Sequence, residues 1–260
     1  MNIIVCIKQV PDTTEIRLDP NTGTLIRNGV PSIMNPDDKG GLETALRLKE
    51  TYGAHITVIT MGPPQADEML REALAMGADR AIHLSDRKFA GADTLATSNA
   101  LAGALRMLEY DLILTGRQAI DGDTAQVGPQ IAELLDLPQV TYAEEISIDD
   151  SGHFLIRRAT EEGHQLLETE GPCLVTMLAS AIKPRYMSVR GIVTAYDREV
   201  EAWNRDHISV DETKLGLKGS PTRVMRSFTK GAKSAGKVYQ IEPSEAVDLI
   251  IEKLTEKFII

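Results

Sequence analysis

Asp121, Asp123 and Thr124 stand in a polar, glycine-bearing run, Gly116–Gln130 (GRQAIDGDTAQVGPQ), that joins an apolar stretch to an amphipathic one. The apolar stretch, Asp111–Thr115, reads as a buried strand. Val127, Ile131, Leu134 and Leu135 recur at helical spacing and predict a helix after it. A loop between a parallel-type strand and a helix N-terminus presents backbone N–H groups and the positive end of the helix dipole, which suits a phosphate. The same residues suit a second role. Asp123-Thr-Ala-Gln126 has the form of a capping box, with Asp123 as N-cap and Gln126 reaching back. Two carboxylates beside a phosphate would also repel it. Local chemistry alone favours the cap and leaves both readings open.

No other pattern points to side-chain catalysis. The fingerprint G-x-G-x-x-G and the P-loop G-x-x-x-x-G-K-[ST] are absent, which argues against a standard dinucleotide site and a P-loop NTPase. There is no G-x-S-x-G elbow. Cys6 and Cys173 each lie in an apolar, strand-like run and read as small buried hydrophobes. His55, His83, His153, His164 and His207 show no metal-ligand spacing. Such silence fits a protein whose chemistry belongs to a bound cofactor.

Composition narrows the partners. The net charge of −10 would repel a polyanion, and 4% aromatic residues leave no base-stacking platform, so no nucleic-acid partner is expected. Between Lys214 and Lys237 there are seven Lys/Arg and no acid, so the remainder carries −17. A basic arm on an acidic body is suited to an acidic partner surface or to solvent. The apolar start before Lys8 is short enough for a strand and not for a signal peptide, and no segment approaches the ~20 apolar residues of a membrane span. The expected setting is a reducing cytoplasm, without a membrane partner.

The elements that would position the loop alternate. Strands are expected at Ile3–Ile7, Ile56–Thr60, Ala81–Leu84 and Asp111–Thr115. Helices are expected from Asn35-Pro36 to Tyr52, along the stripe Ala66, Met69, Leu70, Ala73 and Leu74, and after Asp93-Thr94. A hairpin is expected from Glu15–Leu18 and Thr24–Arg27. This alternation predicts an α/β fold with a mostly parallel, doubly wound sheet. Right-handed crossovers then gather Lys8–Thr14, Met61–Pro64, Ser85–Asp93 and Gly116–Asp123 at one sheet edge. After Pro138 the period becomes that of an antiparallel ribbon, Val140–Ile148, Phe154–Arg158 and Leu166–Glu168, followed by a last core strand at Cys173–Met177. The expected organisation is a nucleotide-binding α/β domain over 1–182, a docking loop and connection over 183–215, and an extended arm with a terminal helix over 216–260. Gly216–Gly236 has too few apolar residues to fold alone, and Ser244–Lys257 reads as an amphipathic helix.

The segment QAIDGDTAQVGP resembles the nucleotide-binding signature of the small (beta) subunit of electron-transfer flavoproteins. Cys6–Thr13, Met34-Asn35-Pro36, Thr60–Pro63, Ala73–Arg80 and Lys183–Tyr186 follow the family's order and spacing, so the resemblance spans essentially the whole chain. It implies an adenine-nucleotide-binding fold whose crevice holds FAD or AMP, with the adenosine part on Asp121–Ala132. The implied cofactor contacts are Cys6, Ile7, Lys8, Asn35, Asp38, Met61, Gly62, Asp121, Gly122, Asp123, Thr124, Ala125, Gln126 and Val127. Val10–Thr13, with Gly23–Arg27, Gly29 and Pro31, resembles the electron-bifurcating branch, in which this subunit carries FAD. That implies NADH as hydride donor, ferredoxin or flavodoxin as one acceptor, and a second FAD in the large (alpha) subunit leading to a partner dehydrogenase of acyl-CoA or lactate type. Lys8, Gln9 and Gly62-Pro63 are the candidates by position for tuning that flavin, and ordinary loop residues is the competing reading. Lys183, Arg185, Tyr186, Val189 and Arg190 fall in the family's partner-docking loop, where Val189 stands in place of a leucine anchor. Gly216–Gly236 resembles the arm that wraps the large subunit. The alternatives are a non-bifurcating electron carrier with structural AMP, and a non-redox nucleotide-binding regulatory protein similar to universal stress proteins.

Overall fold

The computed structural model describes residues 1–12, 31–222, 225 and 236–260. The hairpin expected at Glu15–Leu18 and Thr24–Arg27, the Gly23–Gly29 part of the bifurcation motif and most of the basic arm lie outside these residues.

Hydrophobic alternation builds the sheet. In β1 (Asn2–Cys6), Ile3 and Val5 face one core cluster while Ile4 and Cys6 face the other. β4 (His55–Met61), β5 (Arg80–Leu84), β6 (Leu112–Gly116) and β10 (Cys173–Met177) split their side chains in the same way. Burial on both faces is why these segments read as short apolar runs. The helices fill the two faces in sequence blocks. α1 (Pro36–Tyr52) and α2 (Asp67–Met76) pack on one face, and α3 (Thr94–Leu105) and α4 (Val127–Leu135) on the other.

Among the described residues the sheet has nine strands in the order β11-β5-β4-β1-β6-β10-β7-β8-β9. Strands β11 through β7 run parallel. β7 (Gln139–Ile148), β8 (Phe154–Thr160) and β9 (Gly163–Thr169) form the antiparallel ribbon at the far side. A separate short pair, β2 (Gln9–Pro11) with β3 (Ser32–Met34), closes the loop after β1. From β1 the chain winds outward to β4 and β5, then returns to place β6 on β1's other side. The connections after β1 and β6 therefore leave toward opposite faces, and the crevice between them is the topological switch point where ligands bind in such sheets.

Residues 183–215, expected as a loop and connection, carry ordered elements. α5 (Val189–Ala195) packs against α2, and β11 (Val200–Trp203) adds a parallel edge strand to β5. One compact unit thus runs from Met1 to Met225. The second unit, Arg226–Ile260, contains α7 (Pro243–Glu256), which follows the short α6 (Gly216–Gly219) of the first. None of the α7 residues is buried. Among the described residues no helix is long and apolar enough to cross a membrane.

Candidate functional site

The switch-point crevice is built by side chains that bind backbone. Asn35 precedes α1 and is fully buried. Its position suggests a helix cap, yet its side chain makes no cap bond. It reaches across to the loop after β6, where Nδ2 donates to the Gln118 carbonyl (2.8 Å) and Oδ1 accepts from the Ile120 N–H (3.1 Å). Asp38, in the first turn of α1, accepts the Lys8 N–H at 2.8 Å and the Gly116 N–H at 2.9 Å, tying the ends of β1 and β6 together. Asp37 accepts from the Gln118 and Ala179 N–H groups (3.3 and 2.8 Å) and lies 3.4 Å from the Arg117 guanidinium. These two acids supply the negative charge that a helix N-terminus favours, and spend it on backbone donors. Burial pushes the Asp38 carboxyl up to about 7, and its hydrogen bonds with Lys8, Asn35 and Gly116 oppose that rise.

Gly116 is required by this closeness. A Cβ there would overlap the Asp38 carboxylate and sit 2.7 Å from the Asp37 Cβ. Gly128 lets the first turn of α4 lie on the sheet, where a Cβ would come within 2.7 Å of the Thr115 hydroxyl.

The loop itself corrects the capping-box expectation. Asp123 and Ala125 adopt left-handed backbone, at φ 48° and 51°, so the chain turns again before α4 begins at Val127. The cap position falls on Gln126, without a side-chain cap bond. Asp123 instead accepts from the Gln118 side-chain amide (2.8 Å), and the Gln126 amide oxygen accepts from the Thr94 hydroxyl (2.8 Å). The Gly122 and Asp123 N–H groups are taken by the Ala119 carbonyl. Among the described residues no acceptor takes the N–H groups of Thr124, Ala125, Gln126, Val127 or Gly128. Left-handed Ala125 followed by right-handed Gln126 is the order of backbone conformations that forms an anion-binding nest, here at a helix N-terminus. These residues fit the phosphate of a nucleotide.

Of the other expected contacts, Lys8 crosses the crevice, its Nζ 2.7 Å from Asp121 Oδ1. Cys6 ends β1, and burial pushes its thiol up to about 12, with the Asp38 charge adding to the rise. It is a packing group and not a nucleophile. Ile7 is buried and donates its N–H to the Ile59 carbonyl. Met61 ends β4 on the same sheet edge, and Gly62 follows it, its carbonyl 3.1 Å from Nε2 of buried His83. Gln9 links this loop to the β1 loop through the Gln65 carbonyl (3.3 Å). Sequence reasoning did not assign Arg117, Thr94 or His83 to the site, and it had Gln118 only as part of the signature segment. Their signal is not in residue type but in which backbone groups they meet. Two cavities, one beside Tyr110 and Pro172 and the other beside Asn2 and His55, lie at the opposite, N-terminal edge of the strands.

The docking candidates divide. Arg185 turns inward onto α1, where its backbone N–H and guanidinium bond Glu43 at 2.9–3.1 Å and the guanidinium also bonds Glu50. Lys183, Tyr186, Val189 and Arg190 are exposed. Val189, Ile192, Val193 and Tyr196 follow the i, i+3, i+4, i+7 spacing of one helix face, and all four are exposed, Val189 at 81%. Gly191 brings this helix onto the Ala75 carbonyl of α2, and Arg71 donates to the Ala195 and Arg198 carbonyls (2.8 and 2.6 Å).

A model of the electron transfer flavoprotein domain matches residues 22–208. The chain belongs to the electron transfer flavoprotein family. It is 56% identical to the electron transfer flavoprotein subunit beta of Clostridium acetobutylicum over 99% of both chains. It is 52% identical to the subunit beta of Thermoanaerobacterium thermosaccharolyticum, with both chains covered in full. Subunit CarD of the caffeyl-CoA reductase-Etf complex of Acetobacterium woodii is also 52% identical, again over both whole chains. The resemblance read from the loop thus holds along the entire sequence, and the beta-subunit family is the one to which it points.

Proposed function

We propose that this chain is the FAD-binding small subunit of a heterodimeric, electron-bifurcating flavoprotein. It would take hydride from NADH and divide the electrons between ferredoxin or flavodoxin and a second FAD in the large subunit, which feeds a partner dehydrogenase. The observation that carries the reading is the run of N–H groups from Thr124 to Gly128 at the switch point, free among the described residues. Bound there, a flavin supplies two-electron acceptance and one-electron release. The chain's own residues would hold its phosphates on the nest, and Thr124 could add a hydroxyl. They fix the crevice through Asn35, Asp37 and Asp38. Lys8 and the Gly62 loop face the same edge and are the groups that would set the flavin's surroundings.

An acyl-CoA dehydrogenase-type partner is favoured over a lactate type, because the related CarD chain is named as part of a caffeyl-CoA reductase complex. The exposed face of α5, with Lys183, Tyr186 and Arg190, is the surface offered to that partner. The large subunit would cover the arm and α7, which buries none of its own residues. The reading places the complex in the cytoplasm, without nucleic-acid or membrane partners. The test is NADH oxidation by the purified heterodimer with its partner dehydrogenase. NADH-driven ferredoxin reduction that requires the partner's substrate is expected. Dehydrogenase reduction that proceeds at full rate without ferredoxin or flavodoxin would overturn bifurcation and leave the simple carrier with AMP in this crevice.

A further inference from the structure

The crevice poses an electrostatic problem. Four carboxylates, Asp37, Asp38, Asp121 and Asp123, line the crevice whose loop carries a nest suited to an anion. Three are offset locally. Asp38 accepts two backbone N–H groups. Asp37 accepts two more and has Arg117 beside it. Asp123 is solvent-exposed and bonded by the Gln118 amide. Asp121 differs, because its side chain is only 12% exposed, so water screens it poorly, and it lies three residues before the first free N–H. Among the described residues its one polar partner is Lys8 Nζ at 2.7 Å.

Lys8 is delivered from the opposite wall. Its N–H is held by Asp38, and its carbonyl accepts the Asn35 N–H at 2.9 Å, so its backbone is fixed by the residues that frame the crevice. We infer that Lys8 is the positioning residue that makes this acidic crevice tolerant of phosphate, by neutralising Asp121 across the switch point and not by contacting the phosphate itself. The inference rests on the nucleotide reading of the site and assigns Lys8 a specific part in it.

The test uses the heterodimer freed of nucleotide, titrated with AMP and with uncharged adenosine. Lys8→Met is expected to weaken AMP on the order of tenfold, between the effects of exposed and buried ion pairs, with adenosine within about twofold. Adding Asp121→Asn to Lys8→Met is expected to restore AMP, since the uncompensated charge is gone. Asp121→Asn alone keeps the inference open to refutation if Lys8→Met does not fold, because it should raise the AMP-to-adenosine affinity ratio. Equal losses of AMP and adenosine would make Lys8 a purely structural strut and overturn the inference, as would a Lys8→Met variant that binds AMP normally. A loss that Asp121→Asn fails to reverse would also overturn it. If the wild-type complex binds neither AMP, adenosine nor FAD, the nucleotide reading itself falls, and this inference with it.

Discussion

The switch-point crevice and the outer face of α5 are built on opposite plans within one compact unit. The crevice is over-determined: Asn35, Asp37 and Asp38 bond backbone on both walls, and what is left free is a row of N–H donors. The α5 face is free in the other sense. Its support is rigid, through Arg185 on Glu43 and Arg71 on the helix end, while its apolar side chains touch solvent. A small ligand needs donors fixed before it arrives, since reorganising them would cost affinity. A protein partner needs an anchored apolar patch that it can cover. On this reading the two regions separate residues that hold a site in place from residues that would meet a ligand or a partner.

Gly116→Val would break the first plan most severely. Its side chain has no room beside Asp37 and Asp38, and a loss of about 3 kcal/mol is expected in chemical denaturation, together with loss of bound nucleotide. Asn35→Ala leaves the Ile120 N–H and the Gln118 carbonyl without their buried partner. It should cost about 2 kcal/mol and lower nucleotide content while partner binding through α5 survives. A variant whose stability and nucleotide content both match the wild type would show that the loop holds itself.

Arg185→Ala tests the support of the second region. Glu43, whose side chain is 3% exposed, would lose its main cation, and a loss of about 1–2 kcal/mol is expected. The pH dependence follows. Burial raises the Glu43 carboxyl, but the Arg185 hydrogen bonds outweigh it and hold it below its ordinary 4.5, and Arg185 lowers Glu50 likewise. Depressed carboxylates stabilise the fold above 4.5 and lose that contribution as pH falls through their folded values. The Arg185→Ala penalty should therefore shrink in denaturation series run below pH 4.5.

Asp38 has the opposite sign. Its folded carboxyl is raised from 3.8 to about 7, so the proton is held more tightly in the fold and stability falls as pH rises through that window. Asp38→Asn cannot ionise, so its cost relative to wild type should shrink between pH 5 and pH 8, as the wild type takes on the buried charge. A cost that grows over the same interval would mean that its N–H donors outweigh its burial. The smallest stability change, within about 0.5 kcal/mol, is expected for Val189→Asp, because the residue is exposed. The same change should weaken coupling to the partner dehydrogenase roughly tenfold, which separates docking from folding.

Much of this was legible in the sequence. Residues buried on both sheet faces gave unbroken apolar runs, and Cys173–Met177 begins and ends where its composition indicates. Asn35-Pro36 marked the start of α1, but nothing local showed that Asn35 would bond a loop more than 80 residues away. The capping box failed because Asp123 and Ala125 take left-handed backbone, which residue types do not announce. α5 was hidden because Gly191 and several β-branched residues depress helix propensity, and because its apolar face points outward. β11 was missed because four residues, Val-Glu-Ala-Trp, are too short to show a period, and the partner strand β5 supplies the order.

The most direct measurement of the central claim is the FAD and AMP content released from the heterodimer of this chain with its large subunit. The account predicts two FAD and no AMP per heterodimer. One FAD with one AMP would contradict it, leaving a simple electron carrier whose nest holds a structural nucleotide.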